Sequence, residues 1–112
     1  MKKTFVLPLA LSLMLVGCLN MPTPPDQITG SYVSSAKYSS FDCNALAAEL
    51  DSVNRREARA EAAQQQRYKS SKQQAFWYGY GQGDGLEASE LANLRGEREA
   101  LRTAISVKGC GR

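Results

Sequence analysis

The chain has 112 residues, room for one small domain and little more. Its 14 Lys and Arg outnumber the 11 Asp and Glu, but Lys2 and Lys3 stand at the extreme N-terminus and the remainder is close to neutral, so there is no basic footprint of a nucleic-acid binder. His is absent, which removes Ser-His and Cys-His catalytic pairs and His-based metal sites.

After Lys2 and Lys3 comes an apolar run from Phe5 to Val16, interrupted only by Pro8 and Ser12, and the segment closes on Leu15-Val16-Gly17-Cys18. A charged start, an apolar centre and a small residue at the end are the parts of an export signal. The run is shorter than the roughly 20 residues that a membrane-spanning helix needs. The closing residues resemble the lipobox of bacterial lipoproteins, in which the peptide is cut before the Cys and that Cys is lipidated. The expectation is a signal peptide over 1–17 and a lipidated Cys18; an ordinary secretory signal with a chance Cys is the alternative.

Three cysteines are an odd number for an exported protein. With Cys18 lipidated, Cys43 and Cys110 remain, and an oxidising compartment favours a disulfide between them. Two free thiols, or a bond between chains, are the other outcomes.

Residues 18–41 show no helical period. Pro22, Pro24 and Pro25 each fix φ and remove a backbone donor, so this stretch reads as an extended tether. Within it, Ser31-Tyr32-Val33 and Lys37-Tyr38 have the character of a short segment that packs on later helices.

A helical module is expected over 42–111. Asp42 is a plausible N-cap, and Leu46, Leu50 and Val53 recur at spacings of four and three, marking one helix face. Beyond Val53 the large residues stop. Ala, Gln, Glu and Arg sustain the helix by propensity, and Glu57 and Glu61 among Arg55, Arg56 and Arg59 read as a solvated face. Gly79, Gly81, Gly83 and Gly85 then end any regular helix. Asp84 and Glu87 have the spacing of a capping box for a second helix, along which Leu91, Leu94, Leu101 and Ile105 share a face. Arg98 interrupts that face, and Gly109 is suited to close the helix.

Two helices joined by a short turn run antiparallel, which brings Cys43 beside Cys110. The fold class expected is all-α: an antiparallel two-helix hairpin closed by a disulfide, after a signal peptide and an extended tether. Leu46, Leu50, Val53, Leu91, Leu94, Leu101 and Ile105 form a core of about seven large residues, small enough to need the staple. Counting from the disulfide, Leu86 falls opposite about residue 67, so the first helix overshoots by about ten residues, roughly 15 Å.

That overhang forms a distal tip carrying Phe76, Trp77, Tyr78 and Tyr80. Such rings suit a membrane interface or a protein partner, or they fold back to cap the hairpin. The glycine run lacks the preceding strand of a dinucleotide motif and the Lys of a P-loop, and Asp84 alone makes no calcium loop, so a flexible turn is expected. The Cys pair is not a CxxC redox site. No enzyme activity, catalytic residue, cofactor, metal site or small-molecule substrate is expected.

Phe76-Trp77, Gly83-Asp84, Glu90-Leu91-Ala92-Asn93-Leu94-Arg95-Gly96-Glu97 and Lys108-Gly109-Cys110-Gly111, with Tyr32-Val33-Ser34, Tyr38, Asp42-Cys43 and Leu46-Ala47-Ala48-Glu49 upstream, resemble a group of small, largely uncharacterised proteobacterial lipoproteins. The resemblance implies an envelope lipoprotein. Leu19 after the lipidated Cys, in place of the Asp typical of inner-membrane retention, implies sorting to the outer membrane, facing the periplasm. The expected role is a non-enzymatic interaction or structural module. Its partners would be the membrane, through the N-terminal lipid, and an envelope protein. Alternatives are a membrane-perturbing, spanin-like lysis lipoprotein and a small lipoprotein of a secretion or conjugation machine.

Overall fold

A computed structural model describes residues 20–111, so the expected signal peptide and the expected lipidation site, Cys18, lie outside the described residues. Two helices dominate: α1, Cys43–Tyr78, and α2, Leu86–Lys108. Two short 3-10 turns, Pro25–Gln27 and Ser35–Tyr38, precede them.

The start of α1 follows from Asp42, whose Oδ1 accepts from Ala45 N–H at 2.7 Å and satisfies one of the free donors of the first turn. The helix runs 36 residues, about 54 Å at helical rise. It stops at Gly79, whose φ of 85° is open to glycine at little steric cost. Gly109 closes α2 in the same left-handed conformation. There Gly109 N–H bonds to Ser106 O and Cys110 N–H to Ile105 O, the paired bonds of a Schellman motif. This closure aims Cys110 at Cys43, and the two form a disulfide with Cα atoms 5.5 Å apart.

The helices are antiparallel, as the sequence predicts, and three pairings set the register. The disulfide joins the base, Glu57 meets Arg98 in the middle, and Arg67 lies 3.8 Å from Glu87 near the far end. The last pairing puts the start of α2 opposite residue 67, where counting from the cysteines places it. Residues 68–78 of α1 therefore project beyond α2 by about 16 Å.

Leu46, Val53, Ala60, Leu91, Leu94, Ala100, Leu101, Ala104 and Tyr38 form the buried core, with Leu50 and Ile105 half-buried at its edge. The solvated face expected after Val53 needs correction at Glu57, which is only 7% exposed. Val53, Glu57, Ala60 and Gln64 follow one another at spacings of four, three and four, and all four are buried. The inward stripe thus continues past Val53 with polar members. Both Glu57 oxygens accept from Arg98 Nη1, at 2.6 and 2.8 Å, and Arg95 Nε reaches Oε1 at 3.3 Å. Arg98 stands in the apolar row of α2 because its partner stands in that of α1.

The stretch read as a tether is, from its described start, laid along the hairpin. Ser31 N–H donates to Ala92 O at 2.9 Å, and Arg95 Nη1 donates to the carbonyls of Pro25 and Ile28. Lys108 Nζ donates to Phe41 O. Such closeness needs small residues: a Cβ on Gly96 would lie 1.9 Å from Ser31 O. Gly96, Ala100 and Ala104, four apart and all buried, form a second face of α2 for this segment. Tyr38 is buried at 3% exposure and meets Phe41 edge to face, with ring centroids 5.4 Å apart.

Candidate functional site: the distal tip

The loop 79–85 does not swing freely. It turns at Gly79 and runs back beside the last turns of α1, held by side chains of that helix and of the N-terminal segment. Gln82 N–H donates to Ser71 Oγ at 3.1 Å, Arg67 Nε donates to Gly83 O at 2.6 Å, and Asn20 Nδ2 donates to Gly81 O at 3.1 Å. Ser71 and Gln64 are fully buried, one and three turns short of the aromatic end.

Asp84 is the centre of this network. The helix begins at Leu86 with Gly85 as N-cap and no side-chain cap bond, so the capping box expected of Asp84 and Glu87 is not formed. Asp84 instead accepts from Thr23 N–H and Thr23 Oγ1, both at 2.6 Å, and from Gln64 Nε2 at 3.0 Å. Three donors outcompete a cap. Burial raises the Asp84 pKa, but the bonds from Thr23 and Gln64 and the positive charge of Arg67 outweigh it and hold the carboxyl below its ordinary value. Glu87, released from capping, pairs with Arg67.

Beyond this clasp the surface changes character. Phe76, Trp77, Tyr78 and Tyr80 are 80, 76, 72 and 61% exposed, four of the seven exposed large hydrophobic side chains among the described residues. They do not fold back over the hairpin. Phe76 and Trp77 touch only edge to face, with centroids 5.2 Å apart. Three consecutive helical residues point in directions about 100° apart, so they form a collar round the helix end rather than a stripe along one side. No acidic residue occurs from 62 to 83, whereas Arg67, Lys69 and Lys72 do. Lys69 and Lys72 are exposed, and the Lys72 ammonium lies 4.9 Å from the Tyr68 ring centroid.

Elsewhere the N-terminal segment and α2 leave two open grooves. One of about 330 Å³ is lined by Ser34, Tyr38, Ala104, Val107 and Lys108, and one of about 510 Å³ by Gly30, Tyr32, Gly96, Glu99 and Thr103. Neither brings two acidic groups together. Among the described residues no cluster of three metal-ligating side chains occurs, and no helix is long and apolar enough to cross a membrane. The predicted tip residues are thus brought together at one end and the predicted disulfide closes the other. The clasp of Asn20, Thr23, Gln64, Arg67, Ser71 and Asp84 was not anticipated; the inward spacing of Gln64 and Ser71, seven apart and in line with Glu57, is the signal that marks part of it. No family model matches the chain, and no curated protein or solved structure matches it.

Proposed function

We propose that the protein is a lipid-anchored bacterial envelope protein, tethered through Cys18 to the outer membrane and facing the periplasm, where its stapled hairpin acts as a non-enzymatic interaction or structural module. One observation carries the reading. Of three cysteines, Cys43 and Cys110 are bonded to each other, which leaves Cys18 alone at the end of an apolar leader. The non-enzymatic part is supported by how two carboxylates are used: the buried Glu57 is held by two guanidiniums and the exposed Asp84 by three hydrogen bonds, so both serve the fold.

Intact-mass analysis of the membrane-fraction protein tests the anchor. The expected species begins at Cys18 and carries a diacylglyceryl group, and a Cys18→Ser chain leaves that fraction unlipidated. An unmodified thiol at Cys18 in the exported protein overturns the reading. Crosslinking in intact envelopes, with probes along the exposed shaft, tests the module: a discrete adduct is expected, and an enzymatic turnover by the purified protein overturns it.

A further inference from the structure

The N-terminal segment starts at the tip and ends at the base. Asn20 bonds to Gly81, Thr23 to Asp84, Ser31 to Ala92, and Phe41 to Lys108. Cys18 is two residues before Asn20, and two residues reach at most about 7 Å. A lipid carried on Cys18 therefore enters the bilayer close to the glycine loop. From Ser71, which faces that loop, α1 runs on to Tyr78 by about 10 Å. The headgroup zone on one side of a bilayer is about 5–8 Å deep. An anchor at Cys18 brings the aromatic collar to the same level as the headgroups.

From this geometry we infer that the tip is a membrane-docking element for an anionic phospholipid surface, and that the shaft stands with its disulfide end directed away from the bilayer. The inference rests on the anchoring reading above. Three features select lipid over a protein groove. The collar of Phe76, Trp77 and Tyr78 faces three directions, and a groove engages one face of a helix, whereas an interface surrounds its end. Trp and Tyr favour the headgroup boundary, where a ring is half in hydrocarbon and its polar atom is in water. The exposed ammoniums of Lys69 and Lys72 lie one to three turns behind the collar with no carboxylate from 62 to 83 to neutralise them, as contact with anionic headgroups requires.

Trp77 is the single Trp, so its fluorescence reports the tip without labelling. The full lipidated chain is reconstituted in vesicles of phosphatidylethanolamine with phosphatidylglycerol. Its emission is quenched with bromine-labelled acyl chains in the bilayer or with acrylamide in water. A W77F/V107W chain moves the reporter to an exposed position near the disulfide. We expect a blue-shifted Trp77 quenched several-fold more by bromolipid than the reporter at 107, and a weaker blue shift for K69E/K72E. Three results overturn the inference: Trp77 as accessible to acrylamide as position 107, Trp77 shielded from both quenchers, or position 107 quenched by bromolipid in place of Trp77. Intact mass of the same sample reports lipidation of Cys18, so loss of the anchor and loss of tip contact are read separately.

Discussion

Glu57 on α1 and Arg98 on α2 meet across the hairpin with both carboxylate oxygens within 2.8 Å of one guanidinium nitrogen, in inward rows whose nearest members are Val53 and Ala60 on α1 and Leu94 and Leu101 on α2. Glu57 is almost wholly enclosed, and Arg95 approaches it from the next turn of α2. An ion pair at this depth loses hydration on both partners and recovers it through mutual contact, so removing one partner costs more than removing both.

Glu57→Gln is accordingly expected to lower unfolding free energy by about 2 kcal/mol, because Arg98 then keeps a charge without its counterion. Glu57→Leu combined with Arg98→Leu should fall close to the parent protein. Urea unfolding of Glu57→Leu, Arg98→Leu and the double variant measures the coupling. A double variant as unstable as the sum of the singles contradicts the pairing.

Asp84 makes the clasp acid-sensitive in one direction. Its folded pKa lies below the ordinary 3.8, so its contribution is fully present above 3.8 and is lost as pH falls through the lower folded value. Thermal stability should therefore hold from neutrality to about pH 4 and then decline. In Asp84→Asn that acid limb should be shallower, and the variant should be less stable at neutral pH by about 0.5–1 kcal/mol, because Asp84 is exposed and water screens its bonds. Melting temperatures across pH 2–7 for both chains check this, where the pH limits are about those that bracket a carboxyl titration.

Gly96→Ala should detach the N-terminal segment without disrupting the helices. The new methyl meets Ser31 O at 1.9 Å, and the backbone, not a flexible side chain, must move. A loss of about 1–3 kcal/mol is expected. Hydrogen exchange provides the specific readout. The Ser31 amide, bonded to Ala92 O, should exchange much faster, while amides near Leu94 and Leu101 stay protected.

Reducing the Cys43–Cys110 bond, or replacing both cysteines by Ser, reopens a span of 67 residues. The chain-entropy account sets the loss at up to about 4 kcal/mol. Because the bond ties the two helix ends at the base, the base should loosen first. Exchange at the start of α1 should rise before that at its middle.

Much of this architecture is legible in the sequence because it depends on local chemistry. Asp42 and Gly109 mark helix ends through capping and left-handed backbone, and Leu46, Val53, Leu91, Leu94 and Leu101 recur at helical spacing. The overhang follows from counting away from the two cysteines. What is not legible depends on partners distant along the chain. Glu57 reads as a surface charge until Arg98 is known to lie opposite. Asp84 reads as a cap until Thr23, 61 residues earlier, is found to supply two donors. The Pro-containing stretch reads as a tether because many of its contacts are made by backbone groups, at Pro25, Ile28, Ser31 and Phe41, and its side-chain contacts at Asn20, Thr23 and Tyr38 follow no helical period. The complementary trace is on α2, in Gly96, Ala100 and Ala104 at intervals of four.

The path of the N-terminal segment also decides how the molecule carries a load. Asn20 lies at one end of the shaft and Gly111 at the other, so a pull between them acts along the long axis. The contacts at Thr23, Ser31 and Phe41 are strained in shear and must yield together, whereas a pull from the side would peel them away one at a time. The disulfide lies behind them and ties the bases of α1 and α2. Tension along the axis should therefore be borne at much higher force than tension across it.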